Sequence, residues 1–432
     1  MKRLLLLLLA GAMLLCLAGC GQGDEAQISL KPVAAPVYPK GISFEDYEAK
    51  GKRQEENPLS ESFLEAVNRF SYQTAALVLK DSNTNQCYSP LSLYFALALA
   101  ASGAGGETQE ELLTLLGVDD PAVLSAQCGN LYRTLYTDNE ICKLKIANSL
   151  WLDREVKGQE VSFKEDFLDN ATANFYATLF SADFAAPETA EAMSAWISEQ
   201  TNGTLAPQFA ADPQQIMSII NTVYFCDEWT DRFNADQTQA DQFHLENGES
   251  VTCDFMNRTS FSQTFYRGAD FTRAALNLKE GGSMVFILPD AGVKAGALLA
   301  SPEKVTEIFD GGEVKYGEVI WSVPKFDYGA SYKLKEVLRE LGVASAFLPE
   351  ADFSGITEHM AFISEVAQET HIAIDENGVE ASAFTKLDYV GAGLPEDKAE
   401  MILNRPFIFG ITAANGTLLF AGVCMNPAAA EH

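Results

Sequence analysis

The feature that most constrains this chain is a long run without pattern set just before its end. From Asp375 to Pro406 neither the alternation of a strand nor the three-to-four spacing of a helix can be traced. Immediately afterwards the apolar runs 407–412 and 418–423 flank Asn415-Gly416, a pair that tolerates positive φ and closes a tight hairpin. The chain must therefore complete its core after an irregular excursion of about thirty residues. A loop of that length inside a compact domain is more often a functional element than a connector, so activity is sought there.

The remainder reads as one large body of mixed helices and strands. At 432 residues and 47% hydrophobic content there is enough apolar material for a single extensive core. Phe63, Val67, Phe70, Thr74 and Leu77 recur at helical spacing and predict a helix with one buried stripe. Ser89 and Pro90 supply an N-cap and a first-turn proline for a second helix through the apolar run 91–99, which Gly103 stops. Thr108 and Glu111 have the spacing of a capping box for a third, ended by Gly117. Further on, 188–200 and 332–341 read as helices, and 216–225 and 284–288 as strands. No internal repeat is visible, so the expectation is an α+β fold.

Lys2 and Arg3 precede the apolar run 4–9, and Leu17-Ala18-Gly19-Cys20 closes the segment, the layout of a secretory signal peptide. Small residues directly before a cysteine have the form of a bacterial lipobox, in which Cys20 receives a diacylglyceryl group and becomes the first mature residue. Residues 1–19 are assigned to the signal and 61–432 to the folded domain. Residues 20–60, rich in Gly, Pro, Glu, Gln and Lys, are assigned to a flexible linker. The expected location is a bacterial cell surface, reached by export and held by the lipid on Cys20.

Sixty acidic residues against 30 Lys plus Arg give a formal charge of −30, which repels phosphate backbones and heparin-like chains. Neither nucleic acid nor heparin is expected as a partner. Four histidines and no HExxH, GxSxG, Walker or GxGxxG spacing leave hydrolytic, metal and nucleotide chemistry without support, so no cofactor, metal or enzyme activity is expected. Cys87, Cys128, Cys142, Cys226, Cys253 and Cys424 are irregularly spaced and read as buried thiols.

Seven motifs run in order along the chain: Ser89-Pro90-Leu91-Ser92, Asn148-Ser149-Leu150-Trp151, Asn221-Thr222-Val223-Tyr224-Phe225 with Trp229, Val323-Pro324-Lys325-Phe326, Ala351-Asp352-Phe353-Ser354-Gly355-Ile356, Glu376-Asn377-Gly378-Val379-Glu380-Ala381-Ser382-Ala383, and Asn404-Arg405-Pro406-Phe407. In this order they resemble the serpin family of serine protease inhibitors. The resemblance implies one domain of three β-sheets with eight or nine helices, a five-stranded central sheet and an exposed reactive loop, acting as a monomer. It also implies a mechanism. A serine protease attacks the loop and forms an acyl-enzyme, and the cut loop enters the central sheet as a new strand, dragging the covalently bound protease with it.

The loop sequence suits such a strand. Val379, Ala381, Ala383 and Thr385 share one parity, all small and uncharged, while Glu380, Ser382 and Phe384 share the other. The resemblance makes Glu376, Gly378, Val379, Glu380, Ala381, Ser382 and Ala383 the hinge, with Gly378 supplying backbone freedom and Val379 exposed or nearly so before cleavage. Counting from the hinge puts the scissile bond at Ala392–Gly393; counting back from Pro406 leaves Leu394 as the alternative. Tyr389, Val390, Gly391 and Ala392 suit proteases with shallow apolar pockets, such as elastases and subtilisin-like enzymes. Ser89, Ser92 and Asn221 match the family's shutter, where the central sheet opens, with Gln368 standing where a histidine is usual. A competing reading keeps the fold and drops inhibition, leaving a cell-surface ligand carrier or adhesin whose loop is cut without covalent complex.

Overall fold

The computed structural model describes residues 30–80, 83–380 and 397–429. Ser60 Oγ accepts a hydrogen bond from the Phe63 amide and so starts the helix Glu61–Leu79, which buries Phe63, Val67, Phe70 and Thr74 and leaves Leu77 half-buried. Ser89 caps Pro90–Ser102 in the same way, and Gly103 ends it. Every residue from Pro90 to Ala101 is buried, because this helix lies between two sheets, against Met217–Glu228 on one side and Leu418–Cys424 on the other. Such a position requires an all-round apolar helix rather than an amphipathic one.

The central sheet has five long strands, in the order Phe326–Lys333, Ile363–Ile374, Met217–Glu228, Lys143–Asp153 and Ala177–Ala182, with the short pieces Gly378–Val379 and Thr137–Asp138 added. A second, nine-stranded sheet carries Gln86–Tyr88, the hairpin Phe407–Thr412 and Leu418–Cys424, and the long strands Ser250–Arg267 and Glu313–Pro324; a two-stranded sheet completes the three. Gly416 takes φ +81° in the hairpin turn, as Asn-Gly predicts. The fold is α+β. Ten α-helices occur among the described residues, against the eight or nine expected.

The two halves of the central sheet differ in cover. Helix Pro187–Gln200 lies across one outer half, where Trp151 stacks on Phe180 at 3.9 Å beneath Trp196 and Ile197. Strands Lys143–Asp153 and Met217–Glu228 are therefore buried on both faces and read as almost unbroken apolar runs. Strand Ile363–Ile374 instead alternates buried and half-buried positions, because its outer face is open.

Three expectations are corrected. Thr108 and Glu111 form no capping box: the helix Gly106–Leu116 begins earlier, Thr108 Oγ1 accepts the Asp352 amide, and Glu111 accepts the amides of Ala344 and Ser345. The run 332–341 is divided, with Tyr332 and Lys333 closing the strand Phe326–Lys333 and only Lys335–Glu340 helical. The linker assigned to 20–60 is ordered from residue 30 onward. Ala34 bridges Leu179 at the edge of the central sheet, and Tyr38 stacks with Tyr132, Tyr136 and Tyr176 under the Lys145 ammonium. Asp46 caps a helix Tyr47–Glu56 whose Lys50 pairs with Glu280 at 2.8 Å. These contacts come from single aromatic and cationic side chains without periodicity, so a pattern search passes over them.

Tyr38→Ala removes the centre of that stack. It should cost roughly 2 kcal/mol and lower the unfolding temperature in calorimetry; an unchanged transition would show that the segment adds nothing to stability.

Candidate functional site

Strands Ile363–Ile374 and Met217–Glu228 run parallel and are paired from Ile363–Met217 to Glu369–Thr222. Beyond that point they diverge, and the gap is occupied at its far end by Gly378–Val379, antiparallel to both neighbours. Val379 faces Ile374 on one side and Asp227 on the other.

A tight turn delivers the hinge to this position. The Asp375 amide donates to Gly378 O at 3.1 Å, and Asp375 Oδ1 accepts the amides of Asn377 and Gly378. Trp229, fully buried, donates from Nε1 to Asp375 O and from its amide to Asn377 O. The Glu376 carboxylate accepts from Thr238 Oγ1 at 2.7 Å and pairs with Lys325 at 3.0 Å. Burial would push its pKa up, yet these partners outweigh burial and hold it below the usual carboxylate range. Asp227, beside Val379, has no such cation among the described residues: burial pushes its carboxyl up to about 7.

Two expectations about the hinge are overturned. Val379 is 2% exposed and belongs to the core, because it already fills the space between the parted strands. The positive φ falls at Glu380, at +51°, whereas Gly378 lies within the short strand. Glu380 lies just past the short strand, its amide donating to Ala373 O at 3.1 Å and its carboxylate meeting His371. Ala381, Ser382, Ala383, Ala392, Gly393, Leu394 and Cys20 lie outside the described residues.

Beneath the paired segment, buried polar side chains gather at the end of Pro90–Ser102. The Ser89 amide donates to Gln368 Oε1 at 2.9 Å and Gln368 Nε2 donates to Ser89 O at 2.8 Å, a reciprocal pair that uses both ends of the amide. Ser89 Oγ donates to Leu419 O and accepts the Ser92 amide. Asn221, the register partner of Gln368, turns the other way and bonds to Asn148, which donates to Phe175 O. Ser89, Ser92, Asn221 and Gln368 are thus brought together. Asn148 was visible as part of a motif without a role; His371 and Asp327, which meet Glu380 on the outer face, carried no signal in the sequence.

A family model described as serpin (serine protease inhibitor) matches residues 65–427. Alpha-1-antiproteinase S of Cavia porcellus is 28% identical over 400 residues, covering 90% of this chain and 94% of that protein. A serpin-like protein of Thermococcus kodakarensis is 32% identical over 393 residues, 87% of each chain. The crystal structure of the thermophilic serpin tengpin in its native state matches with a TM-score of 0.76 at 28% identity, covering 92% of this chain and 99% of tengpin. With the family model spanning nearly all of the folded body, the chain belongs to the serpin family.

Proposed function

We propose that this chain is a suicide-substrate inhibitor of elastase-like or subtilisin-like serine proteases, cut between Ala392 and Gly393 and held at the cell surface by a lipid on Cys20. The observation that carries the reading is the seated hinge. Val379 is already in register between two strands that part just ahead of it, so the loop that follows has a track to enter.

The protease serine adds to the Ala392 carbonyl, the Gly393 amine leaves, and Ala392 is held as an acyl-enzyme. The freed segment then extends the strand that Gly378–Val379 begins. Continuing the register Val379–Asp227, Tyr389 comes opposite Met217, the end of the sheet, and Ala392 lies three residues beyond it. The 13 steps from Val379 to Ala392 span about 43 Å at ~3.3 Å per residue. A cut after Leu394, the alternative, would leave two further residues of slack between sheet and protease, so Ala392 transmits the pull better. About ten new ladder hydrogen bonds at ~1 kcal/mol each, plus apolar burial, supply the force. Among the described residues no helix is long and apolar enough to cross a membrane, and membrane attachment is assigned to the lipid.

Incubation with an elastase should give an SDS-resistant complex and a released peptide beginning at Gly393 by mass spectrometry. Cleavage without a complex would favour the carrier or adhesin reading.

Because Val379 is buried in the intact protein, Val379→Arg would damage the starting fold. Ala383→Arg is the cleaner probe, since it puts a cation on the parity that must enter the core. Burying it unpaired costs several kcal/mol, and each ~1.4 kcal/mol slows insertion tenfold. The variant should be turned over as a substrate with little complex; full inhibition would refute the assigned parity.

Cys20→Ala should leave inhibition unchanged and release the exported protein from membranes. Retention in the membrane fraction after normal processing would exclude the lipid anchor.

A further inference from the structure

Strand Ile363–Ile374 turns Glu365, Glu369 and His371 toward the open half of the central sheet. There His371 lies between two carboxylates, with Nδ1 2.6 Å from Glu380 Oε1 and Nε2 2.7 Å from Asp327 Oδ1. Asp327 belongs to the adjoining strand Phe326–Lys333, and Glu380 follows directly on the short strand Gly378–Val379. A side chain at φ +51° is strained unless its surroundings hold it there. We propose that His371, backed by Asp327, is a positioning residue that holds Glu380 and arrests the hinge with Gly378–Val379 paired in the sheet, and that loss of the imidazolium proton releases it. The proposal rests on the insertion mechanism above.

The contact in its present geometry belongs to the arrested state; in a continued strand Glu380 would lie diagonal to His371 on the same face. When the strand continues antiparallel from the Val379–Ile374 pair, Glu380 becomes extended opposite Ala373 and Ser382 arrives opposite His371. The present backbone of Glu380, and the geometry of the His371 contact that depends on it, must therefore change for the next residue to enter. Both bonds at His371 are hydrogen bonds only if both ring nitrogens carry protons. A neutral imidazole donates from one nitrogen and sets the lone pair of the other against a carboxylate oxygen.

Other groups nearby leave this titration to His371. Glu369, on the same face, accepts from Ser331 Oγ at 2.6 Å, and burial raises its carboxyl pKa. Tyr224 and Cys226 across the gap and Cys87 on the strand Gln86–Tyr88 all feel the Glu380 charge, but burial raises their pKa values, so they stay neutral through the histidine range. Lys325 and Asp375 line the cleft shared with Asp327 and Glu380, and Lys325 is engaged by Glu376. For His371 itself burial opposes the charge, but the hydrogen bonds and attraction of Glu380 and Asp327 outweigh it and raise the ring above its ordinary value. The hold is therefore complete below the ordinary histidine pKa of about 6.5 and is lost as pH rises through the raised one.

The test uses a metalloprotease to nick the loop, since it forms no acyl-enzyme and the readout does not depend on trapping. Insertion is followed by tryptophan fluorescence, with the gain in heat stability as its endpoint, from about pH 6 to about pH 9, a span that brackets the histidine range. The wild-type rate should rise roughly three- to tenfold over this range, on the scale of one net intramolecular hydrogen bond. His371→Gln and Glu380→Gln should insert fast at every pH. Asp327→Asn should keep the dependence with its midpoint moved down, because one of the two carboxylates is gone. A pH-independent wild type, or a His371→Gln profile that follows the wild type, would overturn the proposal. Should His371→Gln fail to fold, Asp327→Asn decides, its side chain being 66% exposed: an unmoved midpoint refutes the role of His371. A nicked protein that gains no heat stability at any pH in any variant would instead overturn the insertion mechanism itself.

Discussion

The half-made ladder between Ile363–Ile374 and Met217–Glu228 is the constraint on which the rest of the structure depends. Two parallel strands in the middle of a sheet are paired over one half and parted over the other. An interior edge of this kind presents unpaired N–H and C=O groups that a further strand can satisfy, and here the first two residues of such a strand are in place. Replacing one parallel ladder by two antiparallel ones improves hydrogen-bond geometry on both sides. Under the proposed mechanism the intact chain is a state arrested short of that arrangement, and the uncut loop, tied at Asp397 to the other sheet, is what keeps it there.

The buried polar residues divide along the line where the sheet must part. Gln368 and Asn221 are register partners across that line, yet each bonds away from it, Gln368 to Ser89 and Asn221 to Asn148. Separation therefore leaves the bonds that each side chain makes intact on its own side, while Asn221 Oδ1 is already without a partner among the described residues. Among the described residues the side-chain bonds that cross the paired segment are Thr222 Oγ1 to Glu369 O, long at 3.5 Å, and the Ile216 amide to Ser364 Oγ. A glutamine suits this place because it donates and accepts at once without a titrating group in the core.

What could be read from the sequence was what local chemistry dictates. Ser89 and Gly103 mark helix ends because backbone groups at a helix terminus need partners wherever the helix lies. Asn415-Gly416 marks its turn because the φ requirement is local. The ordered motifs gave the fold. The position of Val379 was not legible, because alternation specifies which face a side chain takes but not how far along a sheet the chain has advanced. Thr108 and Glu111 misled for a related reason: the same side chains that cap a helix can reach another segment, and only the fold decides. The His371 cluster joins residues 327, 371 and 380, whose separations mean nothing until the strands are laid side by side.

The sheet is also divided mechanically. Helix Pro187–Gln200 and the N-terminal segment are both fastened to the side of Lys143–Asp153 and Ala177–Ala182, through Trp151, Phe180, Leu179 and the stack around Tyr38. The other side carries the alternating strand, the open outer face and the charged groups near Glu380. A strand that must move aside benefits from having few covering side chains to unpack, while the fixed half benefits from many. Fastening residues 34–57 to the fixed half has a further consequence: a pull applied through the N-terminus is taken up by side chains that do not bridge the parting line. Under the proposed function, anchorage through the N-terminus and strand entry in the middle of the sheet can then proceed without working against each other.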